Sequence, residues 1–524
     1  MKRRIWLATV AAVTAGSLMS SPAALADNHG KVLRVVPHAN LSSFDPIITT
    51  AYIVRNYGYM VYDTLFSQNS KGEIKPQMVD SYSVSDDGLT WTFKLRAGLK
   101  FHDGNPVEAD DVIASLKRWS QKDAMGGQLA SFIDRYEGSG DTFKMVMKEP
   151  CGFVLDALGK PSSNVPFIMP ADVAATPANE AITSKIGSGP LIFKDDEFKS
   201  GDLAVFVKNK DYVSRAEAPD GMAGGRQINF DRVEWKIIRD PQTQFNAIKA
   251  GEVDIIEALA HSQYDEANKT DGIRTETYAE GGLSYFLRFN HLLPPFDKVE
   301  VRRAAMLALG QRAMLRAQAI PDSLGKVCAS FFPCGTPYAS DKTGPFTGKS
   351  NIKAAREALK ASGYDGTPVV LMQPTNIGVL AKIPLVAKQQ LEQAGFKVDL
   401  QAMDWGTLIA RRAKKDPVTD GGWNIFMSAW HAADIQNPLS VAMYNPNWFG
   451  WYQSDKMADA LAKFARSSDA NEKAQLAQMV QDTAIEDASW APVGQFVMPA
   501  ALRNNLTPLV ETPGIMVPWG ISRK

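Results

Sequence analysis

Cysteine and histidine are scarce, with three and six in 524 residues. Three thiols cannot build a disulfide scaffold or a four-cysteine zinc site. The histidines (His29, His38, His102, His261, His291, His431) are scattered, and none has a ligand partner at metal spacing. Charge of one sign is missing too: 57 basic residues balance 57 acidic ones. No basic field therefore suggests nucleic acid, and no acidic tail suggests a solvated anchor. After Leu18 no apolar run reaches the about 20 residues that a membrane span needs. Catalytic signatures are also lacking: there is no H-E-x-x-H, no G-x-S-x-G, no phosphate-binding G-x-x-x-x-G-K-[ST] and no dinucleotide glycine fingerprint. What remains is an ordinary globular composition, 45% hydrophobic and 22% charged, with length for two to four domains.

The first residues read as an address. Lys2, Arg3 and Arg4 precede a mostly apolar stretch from Ile5 to Leu18, and the small-residue ending Ala24-Leu25-Ala26 is a cleavage signal. With no cysteine nearby to carry a lipid, residues 1–26 are expected to leave as a signal peptide and release a soluble product into the periplasm. That compartment is oxidising, which makes Cys328 and Cys334 candidates for a disulfide closing a small loop. A redox or metal pair is the alternative, though the spacing is not C-x-x-C and no histidine lies near. Cys151 is then unpaired, and burial is expected for it.

Short β-like runs alternate with amphipathic helices, without internal repeats. Lys31 to Val36 reads as a strand. In Thr90-Trp91-Thr92-Phe93-Lys94-Leu95 the residues Trp91, Phe93 and Leu95 share one face. Asp87-Gly88 and Asp103-Gly104 supply turns. A helix from about Glu108 places Val112, Leu116 and Trp119 on one stripe, its acidic start (Asp110, Asp111) matching the helix dipole. Ser350 or Asn351 can cap another helix. A third ends before Gly395, and the strand Phe396 to Leu400 follows, the helix–glycine–strand signature of an α/β layer. His102 beside Asp103 reads as a polar turn rather than a site. Aromatics in polar contexts stand out instead: Trp405 between Asp404 and Gly406, then Trp423, Trp430, Tyr444, Trp448, Trp451 and Tyr452. Clustered aromatics of this kind suit the walls of a ligand cleft.

The stretch from Val61 to Leu116 carries V-Y-D-T-L-F, then P-Q-M-V-D-S-Y, then S-D-D-G-L-T-W-T-F-K-L-R-A-G-L-K-F-H-D-G-N-P-V-E-A-D-D-V. Together with Gly187-Ser188-Gly189-Pro190, the run Ile248 to Asp254 and Pro295-Phe296-Asp297, it resembles the extracytoplasmic solute-binding proteins of ABC importers, family 5, the dipeptide/oligopeptide/nickel class. The resemblance implies an α/β, periplasmic binding protein-like type II (cluster C) fold of two lobes with three domains and a hinge. Domain I would take 27–66, 187–282 and 493–524, domain II 67–186 as an insertion, and domain III 283–492. Hinge crossings would fall near Gly281-Gly282 and near Trp490.

The same resemblance implies a non-enzymatic role without cofactors: a monomeric receptor that hands a small solute, above all a short peptide, to ABC permease transmembrane subunits. Peptide-binding members hold an extended ligand by its main chain. The matching segments here are Tyr52, Ile53 and Val54 in domain I and Ser428, Ala429, Trp430 and His431 in domain III. Asp434, four residues before Pro438, matches the carboxylate that receives a ligand ammonium. Trp405 and Trp430 match pocket tryptophans, and Lys382 or Ala381 falls where the dipeptide branch docks a ligand carboxylate. Neither metal nor nucleic acid is expected. Glutathione, haem, a nickel chelate, an opine or an oligosaccharide remain alternative solutes, and a periplasmic peptide hydrolase or a chaperone remain alternatives of a different class.

Overall fold

The computed structural model describes residues 31–279 and 281–524; the expected leader lies outside the described residues. Two sheets position the site. The first has seven strands, in the order Leu191–Phe193, Leu203–Lys208, Arg232–Lys236, Val32–Val36, Ile255–Ile256, Ala500–Arg503 and Ile273–Glu276. Its centre is parallel: Val32–Val36 lies between Arg232–Lys236 and Ile255–Ile256. Val32, Leu33, Val35 and Val36 are all buried, as a strand covered on both faces requires.

The second sheet has six strands, in the order Gly325–Lys326, Ala491–Phe496, Leu283–Phe289, Ile425–His431, Val369–Pro374 and Val398–Met403. The chain passes from first sheet to second between Glu276 and Leu283, and returns between Phe496 and Ala500. Because Ala491–Phe496 pairs with Leu283–Phe289, the return comes several residues after the expected crossing near Trp490. Gly282 sits in the left-handed region (φ 55°), and a Cβ there would stand 2.1 Å from the Phe496 carbonyl oxygen. Only glycine lets the two passages run this close together.

A four-stranded antiparallel sheet, Val79–Val84, Thr90–Leu95, Thr142–Met147 and Ile133–Ser139, belongs to the stretch inserted between Val32–Val36 and Leu191–Phe193 of the first sheet. Phe93 and Leu95 are buried on one face, and Trp91 stacks on Phe93. The helix Ala109–Ser120 starts with a capping box between Glu108 and Asp111 and buries Val112, Leu116 and Trp119. Its Arg118 is tied back to Asp45 by two bonds of 2.7 and 3.2 Å, both side chains being fully buried. Cys328 and Cys334 form a disulfide. Cys151 is free and buried, and burial pushes its thiol up to about 11. No helix among the described residues is long and apolar enough to cross a membrane.

Candidate binding site

A cavity of about 920 Å³ is walled by segments of both sheets. On the first-sheet side it opens at the carboxyl ends of two parallel strands, Val32–Val36 and Ile255–Ile256, where ligands of α/β sheets commonly lodge. The residues just past those ends are His38 and Glu257. The Glu257 carboxylate accepts the His38 backbone N–H (2.8 Å), bonds His38 Nδ1 (3.0 Å) and accepts Asn56 Nδ2 (2.9 Å). Burial alone would raise its pKa; the charge and hydrogen bonds of His38, with Arg55 nearby, hold it below the usual carboxylate range.

The helix Tyr52–Val61 supplies Tyr52 and Arg55, one turn apart on the same face. Arg55 Nη2 donates to the Gly514 carbonyl (2.9 Å) and to Asn56 Oδ1 (3.0 Å), and its guanidinium lies 4.6 Å from the Tyr52 ring centroid. The segment expected to meet an extended ligand, Tyr52 to Val54, is the first turn of a helix. Ile53 and Val54 are buried in the core, and only Tyr52 of the three reaches the cavity. Polar Tyr52, Arg55, Asn56 and Tyr59 recur at helical intervals among apolar residues, a signal legible in the chain.

On the second-sheet side, Leu283 pairs with His431 and Tyr285 with Ala429, and these four residues face the cavity together. Trp405, Lys382 and Ser428 also line it. Trp430 does not. Strand alternation turns its indole to the opposite face, against Phe286 at 4.9 Å and Trp448 at 5.2 Å between ring centroids. Asp434 likewise stands outside the lining: its oxygens accept Tyr52 Oη (2.6 Å) and Ser163 Oγ (2.7 Å). Burial and this carboxylate push the Tyr52 phenol up, so it stays protonated and bridges the segments as a donor. Sequence reasoning missed His38, Arg55, Glu257 and Tyr285.

One backbone edge in the cavity is open. Val369–Pro374 pairs with Ile425–His431 only at Leu371–Ile425 and Met372–Phe426. Pro374 has no N–H with which to extend that ladder, and the next residue, Thr375, donates to Met403 instead. On the other side, Asn290 N–H donates to Asn424 and Ala432 N–H to Gly282. The alternation of antiparallel bonding then turns the N–H and C=O of Ala429 and His431 towards the open edge. His431 N–H donates to Tyr52 Oη at 3.1 Å; Ala429, on the same edge, lines the cavity.

Residues 73–450 match the family described as bacterial extracellular solute-binding proteins, family 5 Middle. The chain is 35% identical, over 96% of its length and 95% of the relative's, to the Sinorhizobium fredii protein named "Probable peptide ABC transporter periplasmic-binding protein y4tO". It is 26% identical, over 95% of its length and 94% of the other, to the glutathione-binding protein GsiB of Escherichia coli K12. A dipeptide-binding protein from Pseudoalteromonas sp. SM9913, solved in complex with Met-Leu, shares the fold with a TM-score of 0.78 at 20% identity, covering 94% of this chain and all of that one.

Proposed function

We infer the function from a plain starting point: the chain belongs to the bacterial extracellular solute-binding proteins of family 5. It is the substrate-binding component of an ABC importer, capturing a short peptide between two lobes in the periplasm and delivering it to the permease. The observation that carries the peptide is the open edge at Ala429, inside a cavity whose volume falls in the 300–1,000 Å³ range typical of ligand pockets. An extended peptide laid there gains main-chain bonds that ignore its sequence, while Trp405 and Tyr285 offer aromatic surface to its side chains.

In this reading residues 27–66 and 187–282, with the C-terminal run, form domain I. Residues 67–186 form domain II on the same lobe, and domain III is the other lobe, swinging about the paired passages at Gly282 and Phe496. Lys382 receives a ligand carboxylate. Asp434 serves the site through Tyr52, which it holds in place, rather than by taking a ligand ammonium directly. Mass spectrometry of the small molecules released by denaturing protein purified from periplasm tests the reading. Intact short peptides are expected. Cleaved products accumulating from added peptides would point to a hydrolase, and preferential binding of long unfolded chains to a chaperone; either contradicts it.

A further inference from the structure

The charged groups of the cavity do not balance. Three cations line it, Arg55, Arg239 and Lys382, against one carboxylate, Glu257. That carboxylate is already engaged by His38 and Asn56. Arg55 is 3% exposed, yet its hydrogen bonds go to neutral partners: Ser162, Asn56 and the Gly514 carbonyl. The Glu257 carboxylate lies near enough to be held low by Arg55 but is bonded to His38 and Asn56, so it offsets this buried cation only in part. Arg239 and Lys382 are exposed, and neither has an ion pair among the described residues.

Backbone dipoles add to the imbalance. Arg239 immediately precedes Asp240, the cap of the helix Pro241–Ala250, and Pro241 and Gln244 of its first turn line the cavity. Lys382 is itself the cap residue of the helix Ile383–Ala394. Each cation sits beside a helix N-terminus; at the first the Asp240 carboxylate already caps the Thr243 N–H, whereas the end at Lys382 has no side-chain cap and favours an anion. His261 and His431 also line the wall; burial lowers both, with Arg55 and His38 lowering His431 further, so neither offsets nor adds charge near neutral pH.

We propose that the ligand is an acidic, peptide-like solute with more carboxylates than ammonium groups, its carboxylates meeting Arg55, Arg239 and Lys382. The proposal rests on the peptide-receptor reading and deepens it. Arg55 and Arg239 come from first-sheet segments and Lys382 from the second-sheet side, so an anionic ligand neutralises like charges facing one another across the cleft and favours closure. A neutral or basic ligand leaves that repulsion in place.

Calorimetry with three tripeptides of one length, Glu-Ala-Glu, Ala-Ala-Ala and Lys-Ala-Lys, on protein stripped by unfolding and refolded, tests this. Glu-Ala-Glu is expected to bind about ten- to hundredfold more tightly than Ala-Ala-Ala, the scale of one charge-assisted hydrogen bond, and Lys-Ala-Lys more weakly than either. Lys382→Glu and Arg239→Glu, both at exposed positions that leave the core untouched, should each narrow or reverse that order. Equal binding of all three peptides, or an order unchanged in both variants, overturns the charge assignment while leaving the peptide reading standing. If none of the three binds and no peptide is released from the native protein, the peptide reading fails and this proposal with it.

Discussion

Arg118→Ala is expected to destabilise the protein by about 3–5 kcal/mol, the cost of removing one partner from a buried ion pair. Asp45 would be left buried with only the backbone N–H groups of Ile47 and Ile182, at 2.9 and 3.1 Å, still donating to its carboxylate. The carbonyls of Thr176 and Glu180, which accept from Arg118 at 3.0 and 2.9 Å, would lose their donor as well. Three segments separated along the chain meet at this one guanidinium, so the loss falls on the attachment of the inserted stretch to the first sheet. Urea unfolding checks the magnitude. Lys463→Ala, which removes an exposed ion pair to Asp459, is the control and should change stability by about 0–1 kcal/mol. Equal effects of the two substitutions would contradict the structural role assigned to Arg118.

Acidification from pH 7 to pH 5 is expected to cost a comparable amount. Burial, with the charges of Arg288 and Arg302, holds the His291 imidazole well below its ordinary value. Burial, with Arg55 and His38, does the same for His431. The unfolded chain takes up protons at these sites near pH 6.5 while the folded chain does not. Stability is therefore full above about pH 6.5 and falls as pH drops towards the depressed folded values, by at most about 1.4 kcal/mol per pH unit for each histidine. The two together give a slope approaching about 3 kcal/mol per pH unit. Glu257, also held low, adds loss of the same sign, beginning only below the ordinary carboxylate range. Urea midpoints at pH 7, 6 and 5 read the slope, and His291→Asn should reduce it by about half. A flat profile between pH 7 and 5 would contradict this assignment.

Local signals carried the local structure. Alternation located the strand Thr90–Leu95, the 3.6-residue stripe located the helix Ala109–Ser120, Asn351 caps its helix through Ala354 N–H, and Gly395 ends another in the left-handed region at φ 105°. Where two segments meet, those signals stop. Asp45 and Arg118 are 73 residues apart, and His38 and Glu257 are 219 apart, so nothing in their neighbours marks them as partners. The site was legible in part. Tyr52, Trp405, Lys382, Ser428, Ala429 and His431 all line the cavity, whereas Ile53, Val54, Trp430 and Asp434 do not. Three of those four placements were readable: alternation from Ala429 places Trp430 on the other face, and the polar stripe through Tyr52 and Arg55 marks a helix that turns Ile53 and Val54 inward. Asp434 was not, because its partners Tyr52 and Ser163 lie 382 and 271 residues away.

In the proposed cycle two lobes close around a small guest. Small-angle X-ray scattering on protein purified from periplasm with its native solute, and on the same protein stripped by unfolding and refolding, tests it most directly. The stripped protein should show the larger radius of gyration and return to the smaller one when the released small-molecule fraction is added back. Superimposable curves, with calorimetry showing that the added fraction binds, would contradict it.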